Sequence, residues 1–192
     1  MKIRTLLTSA FCLLILITIL TSAQQNTKPK LSLKAEVSQR IGADTEIKIN
    51  YSRPGVKGRE IWGKLVPYGM APGGKESNGN PYPWRGGANE NTTIEFSKDV
   101  LIEGSKLPAG KYSLHFIPSE QTWTIIFNKN NMGWGSYKYD QKDDALRITV
   151  TPVKEQFTEW LTYGFMNLEG TAAAAYLAWA ELKVPFKISV TD

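Results

Sequence analysis

Between residues 45 and 150 the chain alternates apolar and polar side chains at the two-residue period of a strand with one face in a core. Clusters of Gly, Pro, Asn and Asp separate the alternating runs. The clearest runs are 45–51, 92–97, 111–117, 122–128 and 145–150, rich in Val, Ile, Thr, Tyr, Phe and Trp. Short strands punctuated this way predict an all-β fold, a single antiparallel β-sandwich of jelly-roll-like type. In 111–117, Tyr112, Leu114 and Phe116 share one face and Ser113, His115 and Ile117 the other, which predicts one buried face and one half-exposed face. Pro108-Ala109-Gly110 supplies a turn before this strand, and Pro118-Ser119-Glu120-Gln121 a hairpin connection after it.

Two stretches break the pattern. Residues 171–183 are Ala-rich, so propensity favours a helix capped by Thr171. Alternation instead puts Ala173, Ala175, Leu177 and Trp179 on one side, and a final strand packing into the sandwich is the reading adopted. Residues 66–90 hold six Gly and four Pro and show no periodicity. Loops of that length are usually functional or disordered. Residues 70–82 read as a mobile Gly/Asn/Ser-rich excursion, whereas Trp84-Arg85-Gly86-Gly87-Ala88-Asn89-Glu90 concentrates an aromatic ring, a guanidinium, an amide and a carboxylate beside glycines.

The N-terminus has a different composition. Lys2 and Arg4 precede an uncharged, mostly apolar run over residues 6–20, followed by Thr21-Ser22-Ala23 and a polar stretch. This is the pattern of a secretory signal peptide over residues 1–23, with 24–30 as a flexible leader and 31–192 as one sandwich domain. The run is shorter than the roughly 20 residues that span a bilayer, which favours cleavage over an uncleaved anchor. Cys12 lies inside the run rather than just after it, which argues against lipidation. The expected location is therefore the periplasm or the exterior, with membrane contact only if the segment stays attached.

Cleavage would remove the only cysteine and leave 169 residues, so disulfides, thiol nucleophiles and Cys-ligated zinc are excluded from the mature domain. A chain of about 150 residues already buries roughly 70% of its unfolded surface, enough for a core to hold the fold unaided. Losing Lys2 and Arg4 lowers the formal charge from +5 to +3, a scattered excess with no nucleic-acid patch.

The ordered motifs Tyr51-Ser52-Arg53-Pro54, Lys57-Gly58-Arg59, Trp84-Arg85 with Gly87-Ala88-Asn89-Glu90, Leu107-Pro108-Ala109-Gly110-Lys111-Tyr112, Trp123-Thr124-Ile125-Ile126-Phe127-Asn128, Trp134-Gly135 and Asp143-Asp144-Ala145-Leu146-Arg147 resemble the DUF2911 family, an exported domain found mainly in Bacteroidetes. The resemblance covers about residues 33–190. It implies a compact domain exported to the envelope of such a bacterium, and it implies no reaction. Gly86 stands where the family pattern leads one to expect a polar residue such as Thr. Residues 70–83 look longer than the usual connection, an insertion that could reshape a site beside Trp84 and Arg85.

Arg53, Arg59 and Arg85, if they converge, would bind a carboxylate, phosphate or sulfate. Trp84, Trp62, Tyr82 and Trp134 could instead offer a stacking platform for sugar rings. The competing reading pairs each arginine with an acid, with Glu60, Glu90 and Asp143 as candidates, and puts the tryptophans in the core. Catalysis has little to draw on: His115 is the only histidine, and a strand histidine is ordinarily a packed or surface residue. Asp140-Gln141-Lys142-Asp143-Asp144 lacks a calcium-loop pattern, and no metal or cofactor is expected. The leading expectation is a non-catalytic binding module for a glycan or small anion at Arg53, Arg59, Trp84, Arg85, Asn89 and Glu90. The alternatives are a structural or assembly protein of the envelope, bound to protein partners, whose polar cluster only locks the long loop, and, more weakly, a hydrolase using Glu90 or another carboxylate, with or without His115.

Overall fold

The computed structural model describes residues 31–190. The predicted signal segment 1–23 and leader 24–30 lie outside the described residues. Among those residues the chain forms ten strands: β1 (Leu33–Ile41), β2 (Thr45–Arg53), β3 (Thr93–Phe96), β4 (Val100–Ile102), β5 (Ser105–Leu107), β6 (Gly110–Ile117), β7 (Trp123–Asn128), β8 (Asp144–Val150), β9 (Val153–Glu169) and β10 (Ala172–Ser189). They pair into a six-stranded sheet, β1-β2-β3-β6-β7-β8, and a four-stranded sheet, β5-β4-β10-β9. All pairings are antiparallel. The chain is thus a β-sandwich, and all five alternating runs are strands within two residues of their predicted ends.

The inward positions of both sheets build one core. In β2, Thr45, Ile47, Ile49 and Tyr51 point in and alternate with half-buried polar residues. Trp123, Trp179, Phe96, Phe116, Phe127 and Phe186 are among the largest fully buried side chains. Each such side chain contributes on the order of 1.5–3 kcal/mol when removed from water. Four tryptophans meet at one point: Trp62 sets its ring edge-on to Trp84, Trp123 and Trp179 at 5.8, 4.9 and 5.9 Å between centroids.

The Ala-rich segment is a strand. β10 pairs with β9 along most of its length and with β4 beyond it, and Ala173, Ala175, Leu177 and Trp179 are all buried. Backbone bonding to neighbours and burial of this face outweigh the modest helix propensity of alanine.

The second face of β6 is not half-exposed. Ser113 and His115 are as buried as Tyr112, Leu114 and Phe116. Residues 129–143 fold back over that face, closed at their ends by Lys129 N donating to Asp143 O at 2.8 Å. Ser113 Oγ donates to Asn130 O at 2.9 Å, Ser136 Oγ lies 2.9 Å from His115 Nδ1, and the Tyr139 ring stands edge-on to His115 at 5.6 Å. Alternation reports which side chains share a face, but a loop that returns from elsewhere in the chain can cover either one.

The long connection between β2 and β3 is also secured. Its Gly-rich excursion is closed by Ala71 N donating to Tyr82 O at 2.8 Å and Tyr82 N to Ala71 O at 3.1 Å. It contains a 3-10 turn, Lys75–Ser77, whose Ser77 side chain is buried.

Candidate functional site

The site begins where β2 ends. After Arg53 the chain bridges to β9 through Gly55 and Trp160, with Val56 N donating to Glu159 O at 2.8 Å and Leu161 N to Pro54 O at 3.0 Å. The chain then turns at Lys57 and Gly58, both at positive φ. This turn brings the Arg59 guanidinium back onto its own backbone, where Nε donates to Val56 O at 3.0 Å and Nη2 to Gly55 O at 2.5 Å.

The second wall comes from residues 84–89. Trp84 exchanges backbone bonds with Phe116 of β6, 2.8 and 2.7 Å long, which fastens the loop to the six-stranded sheet. Gly86 follows at φ +59°, and its carbonyl accepts from Tyr163 Oη at 2.8 Å and Thr92 Oγ1 at 3.2 Å. A Cβ at Gly86 would overlap the Phe116 ring and the Tyr163 hydroxyl, so glycine is required by this packing. The polar residue expected there from the family pattern has no room in this chain. Arg85 Nη1 donates to Asn89 O, and the guanidinium lies 5.0 Å from the centroid of the Tyr137 ring. Gly135, at φ +68°, completes the slot, because a side chain there would collide with the Arg85 guanidinium. Asn89 Nδ2 reaches Ser32 O at 3.2 Å, tying the start of the domain to the same loop.

Between the two walls lies a cavity of about 620 Å3, lined by Arg59, Trp84, Arg85 and Asn89 of the six predicted residues. Lys57, Tyr82 and Tyr137 line it as well. Lys57 and Arg59 are exposed at the cavity, and Arg85 is half-buried. No Asp or Glu is among the lining residues. Among the described residues no carboxylate lies within ion-pair distance of Arg53, Arg59 or Arg85, so the expected pairing with Glu60, Glu90 or Asp143 does not occur.

Two predicted residues stand apart. Arg53 turns to β9, where Nε donates to Leu161 O at 3.0 Å and Nη2 to Thr162 Oγ1 at 2.7 Å. It stitches the two sheets together. Glu90 sits in a neighbouring small cleft, 3.5 Å from Lys34 Nζ. Of the proposed stacking platform, Trp62 belongs to the tryptophan cluster, and one face of Trp84 stacks on Trp179 with 14° between planes and 5.9 Å between centroids. Tyr82 is at the cavity, edge-on to Tyr137 at 5.0 Å.

His115 lies under residues 129–143, away from the cavity lining. Burial pushes its pKa down to about 4, opposed by the Asp144 carboxylate and assisted by the Arg85 charge. Asp144 is fully engaged: Asn128 Nδ2 donates to Oδ1 at 2.7 Å, and Tyr139 Oη and Arg147 Nε to Oδ2 at 2.8 and 2.6 Å. Burial and this carboxylate push the Tyr139 phenol up to about 12. His115 thus meets Ser136 and Tyr139, whereas Glu90 faces Lys34. Among the described residues no cluster of three or more His, Cys, Asp or Glu could hold a metal ion.

Lys57 and Tyr137 were not among the predicted site residues. Lys57 stands inside the Lys57-Gly58-Arg59 motif and was legible there. Tyr137 reaches the site through a distant loop that only the Trp134-Gly135 motif marks.

The fold is thus a β-sandwich with a cationic, aromatic-flanked cavity between its loops. Residues 32–188 match the family described as "Protein of unknown function (DUF2911)", which covers most of the chain, and the protein belongs to that family. Neither the curated proteins nor the solved structures gave a match to this chain.

Proposed function

We propose that this protein is a non-catalytic binding module, exported to the cell envelope, whose cavity holds a small anionic ligand. One observation carries the reading: Lys57, Arg59 and Arg85 line one cavity that no carboxylate lines. A guanidinium held by a carboxylate is already neutralised, whereas one held by backbone carbonyls is fixed in place with its charge intact. Arg59 and Arg85 are both held by carbonyls, and each keeps further N–H groups for a ligand. Export rests on the Lys2/Arg4-flanked apolar run ahead of the domain.

Thermal denaturation with phosphate, sulfate, glucuronate and other small carboxylates tests this. A ligand at 100 times its dissociation constant adds about 2.7 kcal/mol, a rise in Tm of several degrees for a chain of this size. The rise should vanish in Arg85→Ala and Arg59→Ala. Because neither arginine leaves a buried carboxylate behind, each variant should itself lose only about 0.5–1.5 kcal/mol. Absence of any anion effect, with Arg85→Ala unfolding far earlier, would show instead that the cluster serves to hold the loop. Arg53 fits that structural role already, through its bonds to β9.

A further inference from the structure

The cavity walls also bear on the body of the ligand. About 620 Å3 lies within the 300–1,000 Å3 of pockets that hold organic molecules and far exceeds what a bare oxyanion fills. A sugar presents hydroxyls that donate as well as accept, so a polyol site needs acceptors. Here the charged groups only donate and no Asp or Glu is among the lining residues, which leaves the Asn89 amide oxygen and the Ser32, Tyr82 and Tyr137 hydroxyls as the side-chain acceptors, few for a polyol in a cavity of this size. Much of the remaining wall is apolar, including Leu65, Val66, Pro67, Ala71 and Trp84. Two of the lining residues are leucines left in water: Leu31 is 83% exposed and Leu65 46%.

Resting on the anion reading above, we infer that the ligand is an amphiphilic acid: one carboxylate or phosphate head at Arg59 and Arg85, carrying an acyl or aryl body against Leu65, Ala71 and Trp84. The cations supply the charge complement of the head and the exposed leucines cover the body. Occupancy removes from water the apolar surface that the free domain exposes.

Straight-chain carboxylates from butanoate to decanoate, kept below their micelle concentrations, are the probes, titrated calorimetrically beside glucuronate, inorganic phosphate and octanol. Affinity should rise about fourfold per methylene until the cavity is filled, with glucuronate and phosphate far weaker than octanoate. Leu65→Ser should flatten the chain-length dependence, and Leu65→Met should restore it. A flat series, or glucuronate binding as tightly as octanoate, would overturn the amphiphile while leaving the anion reading intact so long as binding needs Arg85. Octanol binding as tightly as octanoate, with Arg85→Ala unchanged toward both, would overturn the anion reading itself. Failure of every probe to bind would overturn both.

Discussion

Tyr163 Oη donates to Gly86 O at 2.8 Å, so a buried hydroxyl from the four-stranded sheet holds the loop that presents Trp84, Arg85 and Asn89. The same loop is joined to the six-stranded sheet through Trp84 and Phe116. The cationic wall is therefore fixed by both layers of the sandwich. Tyr163 also packs edge-on to Tyr51 at 4.8 Å, and burial raises its phenol well above the ordinary range, so it stays a donor at any working pH.

Tyr163→Phe keeps the ring and removes that bond. Gly86 O retains Thr92 Oγ1, so no buried carbonyl is orphaned. The expected loss of stability is about 1 kcal/mol, or roughly 2–4 °C in Tm. Anion affinity should fall as well, because Arg85 loses the anchor beside it. Calorimetry gives the first value and anion titration the second; wild-type values for both would show that the Trp84 bridge alone positions the loop.

Gly86→Thr introduces a side chain where the backbone has φ +59° and where a Cβ meets Phe116 and Tyr163. Left-handed backbone costs a non-glycine residue about 1–2 kcal/mol, and overpacking adds about 1–3. Denaturant unfolding should show a loss of about 2–5 kcal/mol. A loss below 1 kcal/mol would mean that Phe116 and Tyr163 yield easily, and that the glycine is not imposed by packing.

His115 makes stability depend on pH. Its folded pKa is lowered from 6.5 to about 4, so between those values the unfolded chain binds more protons than the folded one. Stability from neutral His115 is therefore complete above pH 6.5, falls as pH drops through the window, and levels off below about 4. The shift corresponds to about 3 kcal/mol. The groups facing the ring are Ser136, Tyr139, Asp144 and Arg85. Urea unfolding from pH 4 to 7.5 should show this slope in the wild type, and a much shallower one in His115→Gln. Parallel curves for the two would assign the slope to carboxylates.

Strand positions were readable because alternation and turn residues act locally, as in 111–117 and 122–128. The strand β10 was readable only by setting alternation against alanine propensity. What escaped the sequence came from chain segments far apart. The cover over Ser113 and His115 is supplied by 129–143, and Tyr137 reaches Arg85 from the same stretch. The stretch 84–90 was singled out by its chemistry, and five of its residues, Trp84, Arg85, Gly87, Ala88 and Asn89, line the cavity. Arg53 and Glu90 were named with that stretch but stand apart, Arg53 because β2 runs on past Tyr51 to bring it against β9. No local pattern encodes which side of a strand end an arginine takes.

Occupancy of the cavity should be visible at His115. The positive charge of Arg85 is one cause of the lowered imidazole pKa. An anion seated on Arg85 cancels part of that charge, which makes imidazolium less unfavourable and must raise the pKa. By linkage, protonated His115 binds the anion more tightly than neutral His115 by the same factor. The chain contains one histidine, so its imidazole resonances are unambiguous in an NMR titration. With saturating sulfate, which stays anionic at this pH, the titration midpoint should move up from about 4, and in Arg85→Ala it should start higher and stop responding to the ligand. A midpoint that ignores the ligand in wild-type protein, while binding is measured independently, would place the anion away from Arg85, at Lys57 and Arg59 alone.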